Sequence, residues 1–125
     1  MFPHPCGEEF ERLVAAGADP ATVVPDEFVV VRGGTKPMPP PYEAFSCSSG
    51  PSLESASCAV PYNQIRTATA GQIRSVGGVV EWKSEYSQRR TLNKQHVNVT
   101  EASASVFGEL RPNPVPKSDR IDGRK

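Results

Sequence analysis

Apolar positions cluster along the chain at two different spacings, and these divide it into short elements. Residues 28–31, Phe-Val-Val-Val, form an unbroken β-branched run that predicts a buried central strand, ending at Arg32-Gly33-Gly34. Val-Val-Glu-Trp at 79–82 predicts another strand, and shorter ones are expected at 63–68 and 105–110. Residues 94–101, KQHVNVTE, alternate instead: as a strand they turn His96, Asn98 and Thr100 to one side and Val97 and Val99 to the other.

Helical spacing marks three further stretches. Residues 7–17 open with two acids and place Phe10, Leu13 and Val14 on one face before Gly17. Residues 52–60 begin at a capping Ser52 and carry Leu53, Ala56 and Val60. Thr69-Ala70-Gly71-Gln72 has the form of a capping box, Ile73 and Val76 continue one stripe, and Gly77-Gly78 closes it. Between these elements, residues 35–51 hold five prolines and no periodicity, which predicts an extended loop. A polar loop is expected at 83–94. The tail 111–125, with three prolines and a charged end, is expected to stay outside the sheet.

These elements make one small α+β domain, with residues 1–27 as an N-terminal helix and connector, 28–110 as the core and 111–125 as the tail. Charge adds little, because 14 Lys and Arg balance 14 Asp and Glu and leave no global field for nucleic acid or an anionic membrane. No run of 18 apolar residues occurs, and MFPHPCGEEFER lacks the shape of a secretory signal. The expectation is a soluble, cytoplasmic protein. Cys6, Cys47 and Cys58 have neither metal-site nor disulfide-framework spacing, so reduced, partly buried thiols and no metal are expected.

The glycine-rich signatures of NTPases and dinucleotide folds, the serine-hydrolase elbow and the zinc-protease helix are all missing. With His4 and His96 as the only histidines, a two-histidine mechanism would need the N-terminus. Arg32 at the end of an apolar strand needs an anionic partner or a route to water, and Gly33 leaves room for a ligand near the backbone. His96 and Asn98 offer donors and acceptors suited to a ribose or an amide, or else an ordinary wet strand face. Glu81, Glu85, Glu101 and Glu109 are candidate acids that solvent alone would also explain. Trp82 and Tyr86 read as packing residues.

Arg32-Gly33 on a strand, Ile73 to Gly77 in a helix and His96 to Val99 on a later strand resemble the ADP-ribosyltransferase superfamily, nearest the RNA 2'-phosphotransferase branch. The resemblance spans about residues 28–110. It implies a split, mostly antiparallel sheet whose cleft binds NAD or an ADP-ribosylated phosphate, with Arg32 and Gly33 at the phosphates, His96 and Asn98 at a ribose, and Glu109, placed by its order along the chain, orienting the attacked sugar, so that Glu109 and His96 are the catalytic residues. Asn98 stands where the phosphotransferases repeat a histidine, and no clear Ser-Thr-Ser triplet or E-x-E follows. The implied function is a small toxin or effector that uses NAD to modify a macromolecule, protein or RNA, with a cognate antitoxin or immunity protein as partner. Two other readings stay open: an interaction module working through the Pro-rich loop 37–51 and the tail, or an RNA-cleaving toxin with His96 as base. The enzyme reading requires Arg32 and His96 to face one cleft.

Overall fold

The β-branched run becomes β1, Val29–Gly33, in the middle of an antiparallel sheet. In this computed structural model the described residues are 17, 24–33, 45–60, 62–83, 85–86, 92–93, 95–102 and 106–120. The other elements are β2 (Phe45–Gly50), α1 (Leu53–Ser57), β3 (Gln64–Thr69), α2 (Ala70–Ser75), β4 (Val79–Trp82), β5 (Glu85–Tyr86), β6 (Leu92–Asn93), β7 (His96–Thr100) and β8 (Arg111–Pro112). Six strands form one sheet in the order β4-β7-β2-β1-β3-β8, and β5 pairs with β6 in a separate ribbon. With its two short helices this is a small α+β domain, as its alternating and helical spacings predict.

Both faces of the sheet are covered, which is why β1 needs apolar side chains at successive positions. On the first face Val30, Cys47, Ala68, Val80, Val97 and Val99 pack with Ala70 and Ile73 of α2 and with Val24, Ala102 and Phe107. On the second, Val31 and Ile65 pack with Ala56 of α1 and with Val60. Each helix starts at a capping box: Ser52 Oγ accepts from Ser55 N, and Thr69 Oγ1 accepts from Gln72 N. Gly77, with φ of 88°, supplies the left-handed residue that ends α2. A Cβ on Gly78 would lie 2.5 Å from Ile73 Cγ2, so α2 sits directly on the chain that enters β4.

Four local expectations are corrected. The stretch expected to be loop up to residue 51 contains β2, which lies between β1 and β7. Its alternating FSCSSG was obscured by the prolines before it, and residues 45–50 of the proposed interaction loop are therefore internal sheet. The polar stretch after Trp82 includes the β5–β6 ribbon. The tail joins the sheet, since Arg111 and Pro112 pair with Ile65 and Gln64. In contrast, 106–110 is no strand; its one ladder-like bond runs from Gly108 N to Thr67 O at 2.9 Å. The helix expected at 7–17 and the prolines at 37–41 lie outside the described residues.

Cysteine chemistry also differs from expectation. Cys47 is a buried free thiol, but Cys58, just past α1, is disulfide-bonded. Nothing in the sequence hinted at this, because spacing alone does not decide whether a cysteine pairs. No helix among the described residues is long and apolar enough to cross a membrane.

Truncating Ile73 tests the first-face core. This side chain is fully buried, and Ile73→Ala is expected to lower unfolding free energy by about 2–5 kcal/mol in urea titrations. Alkylation and peptide mapping test the bridge: in the unreduced, denatured protein Cys47 is expected to be modified, and Cys58 only after reduction.

Candidate functional site

The site begins with the alternation of β7. Its register places Val97 opposite Cys47 and Val80 opposite Val99, so the valines belong to the first face. His96 then falls beside Ser48, and Asn98 between Ser46 and Glu81, on the second face. The polar side of the strand is graded in exposure: His96 is buried, whereas Asn98 and Thr100 are half-buried.

Two backbone contacts hold the histidine in place. Lys83 N donates to His96 O at 3.0 Å, and His96 Nδ1 lies 2.8 Å from Lys83 O. A carbonyl oxygen only accepts, so Nδ1 carries the proton in this bond, and in the neutral form of the ring this tautomer leaves Nε2 as an acceptor. The preceding residue performs a similar task toward the helix. Gln95 Nε2 donates to the Ser55 and Ala56 carbonyls of α1, while Ser49 N donates to Gln95 O. One dipeptide thereby ties β7 to β4, to β2 and to α1.

Beside His96 a pocket of about 120 Å³ opens, lined by Val31, Arg32, Gly33, Ser46, Cys47, Ser48, Ala59, Val60, Tyr62 and His96. Ser46, Ser48, Gly33 and Val31 share the second face with His96, and Ala59, Val60 and Tyr62, after α1, supply the other wall. Ser46, Ser48 and Tyr62 were not picked out from the sequence. The alternate serines of FSCSS were the available signal, but they carry meaning only once β2 is known to be a strand. A pocket of this volume receives one ring-sized group, and a larger ligand must extend out of it.

Arg32 and His96 meet the same pocket, but their side chains lie on opposite faces. Val31 pairs with Ser48 and Ser48 with His96, so those three share the second face. Arg32 is the next residue along β1 and therefore points to the first, opposite Arg66 of β3. Its electrostatic neighbours agree: burial lowers the Arg32 pKa from its usual value, Cys47 raises it and Arg66 lowers it. Arg32 is a buried cation of the first face, and the shared cleft that the sequence reading requires does not form between these two side chains.

Gly33 does permit a close approach, and the group that uses it is Tyr62. A Cβ at Gly33 would lie 2.6 Å from Tyr62 Cδ2 and 2.9 Å from Cε2. Glu109 is exposed, next to the Gly108 that bonds to β3. Four strand spacings separate that segment from β7, roughly 19 Å, so Glu109 is not brought to His96. Glu81 is the acid that register places on the histidine's face: it pairs with Asn98 and sits diagonally from His96, about 7–8 Å away. Trp82 is partly buried against the first-face core. No metal-binding group of His, Cys, Asp or Glu occurs among the described residues.

No protein-family model, curated protein or solved structure matches this chain.

Cys47 provides a test of the first-face environment. Burial pushes its thiol from 9.0 up to about 12, with the Arg32 charge pulling the other way. Below pH 9 the thiol is protonated in folded and unfolded chains alike and contributes no pH dependence. Above it the unfolded thiol ionises while the folded one keeps its proton, so stability falls as pH rises toward 12. Comparing urea stability of the protein and Cys47→Ala from pH 7 to 10.5 should show an extra decline in the thiol-containing chain, approaching about 1.4 kcal/mol per pH unit.

Proposed function

We propose that the second-face pocket takes NAD, with one ring of the ligand inside and the remainder over the strands, and that an ADP-ribosyltransferase-like activity here works without the Arg32–His96 cleft that the resemblance asks for, through His96 and the neighbours on its own face. The observation that supports this most is the convergence of a buried, oriented His96 with Ser46, Ser48 and Tyr62 around one ring-sized space. Those side chains supply hydroxyl and imidazole groups suited to a ribose or a carboxamide. The roles are reassigned from those the resemblance implies. His96 stays at a ribose, with Ser46 and Ser48 joining it, and Asn98 follows beside Ser46 on the same face.

Glu81 replaces Glu109 as the carboxylate toward the sugar, since Glu81, Asn98 and Ser46 form one cross-strand row on the histidine's face. NAD supplies a sugar whose bond to nicotinamide breaks with the electron pair leaving on the ring. A carboxylate near that sugar stabilises the positive charge that develops. Arg32, on the other face, has no role at the phosphates in this arrangement and instead supports β1 from the core side. The macromolecule modified, protein or RNA, would approach over the half-buried Asn98 and exposed Glu81.

Calorimetry with NAD on the folded protein tests the reading. Binding that weakens about tenfold in His96→Ala or Ser48→Ala, with Glu109→Ala unchanged, is the expected result. Absence of heat at millimolar NAD in the intact protein would reject NAD as the ligand.

A further inference from the structure

The pocket wall made by Ala59, Val60 and Tyr62 is held from behind by residues 113–120. Asn113 Nδ2 donates to Val60 O and to Tyr62 O, each at 3.0 Å, and Asn113 N donates to Asn63 O at 2.8 Å. Its Oδ1 accepts from Val115 N at 2.9 Å, so the side-chain amide is engaged at both its nitrogen and its oxygen. Arg120 completes the arrangement: it is 8% exposed, its Nε donates to Val115 O and its NH1 to Asn63 Oδ1, both at 2.8 Å. The segment from 111 to 120 is thus a strap, anchored at one end by β8 and at the other by Arg120.

This wall differs from the other side of the pocket. Ser46, Ser48 and His96 sit on paired strands within the sheet. Ala59, Val60 and Tyr62 lie between α1 and β3, where the strap's donors take the Val60, Tyr62 and Asn63 carbonyls. Tyr62 reaches the sheet through its ring, which rests on Gly33. Removing the strap's donors leaves those carbonyls to water and frees the wall to move away from β1.

We infer that Asn113 is a positioning residue for the ligand site: it touches no ligand, and through the Val60 and Tyr62 carbonyls it sets the gap between the wall and His96. The inference rests on the reading of this pocket as the ligand site and adds the C-terminal strap to it. A site built this way depends on a residue whose side chain lies outside the pocket lining. Its affinity is therefore coupled to a segment that the sequence suggests is a surface tail.

Asn113→Asp is the informative change, because it keeps the acceptor for Val115 N and removes both side-chain donors. Amide hydrogen exchange on the full chain reads its effect. Exchange at Val60, whose N–H bonds to Ser57 O at 3.0 Å, is expected to rise about tenfold while β2 and β7 keep their protection. NAD affinity, measured by calorimetry on the same folded samples, is expected to fall about tenfold. Arg120→Ala, which leaves the Asn113 side chain intact, should give the same local pattern and covers the case in which Asn113→Asp does not fold. Unchanged exchange at Val60, or an equal rise across β2, β7 and Val60, overturns the inference, as does unchanged NAD affinity alongside a local rise. Failure of the intact protein to bind NAD rejects the ligand, while the exchange pattern still decides whether the strap positions the wall.

Discussion

Successive side chains of a strand leave on opposite faces, and in this protein both faces are covered. That constraint governs the rest of the structure. It requires β1 to supply Val30 to one core and Val31 to the other. It sends Cys47 inward beside Arg32 and leaves Ser46 and Ser48 with His96. A shift of one residue between β1 and β2 would exchange these sets, burying the serines in the first-face core and removing the polar wall of the pocket. Fold and site share one register, so neither can change alone.

The same constraint explains what was legible in the sequence. The β-branched run at 28–31, Val-Val-Glu-Trp at 79–82 and the alternation at 96–100 are strong local signals, and they appear as β1, β4 and β7. The cap at Ser52 and the capping box at Thr69 are equally local and form as the sequence predicts, although the Ser52 cap also closes as a box through Ser55. β2 was hidden because Phe-Ser-Cys-Ser-Ser-Gly has few large apolar residues and follows a proline cluster. Its place in the sheet comes from its neighbours on both sides, a tertiary effect that overrides weak β propensity. The separate β8 contributes two residues and relies on β3 for its existence.

The site was half legible for a related reason. His96 and Asn98 stand out by alternation within one strand, but pairing His96 with Arg32 needs the relation between strands. Three antiparallel strands determine that relation, and no short motif encodes it. Glu109 failed as a partner because order along the chain says nothing of distance across the sheet, where the segment carrying it lies beyond β3. Asn113 was invisible, since its work is done on main-chain carbonyls whose location is unknown until Val60, Tyr62 and Asn63 fold against the tail.

The pairing of β8 has a consequence at the margin of the sheet. An outermost strand normally presents a row of main-chain donors and acceptors that a second chain can join, and this is how folded proteins begin to aggregate. Here that border is only two residues long, starts with exposed Arg111 and ends with Pro112, whose nitrogen has no hydrogen to donate. Continuation of the ladder by another molecule is blocked at that side by covalent structure. For a chain whose formal net charge is zero, and which therefore gains little from mutual repulsion between copies, that main-chain terminator is a safeguard that does not depend on ionic strength.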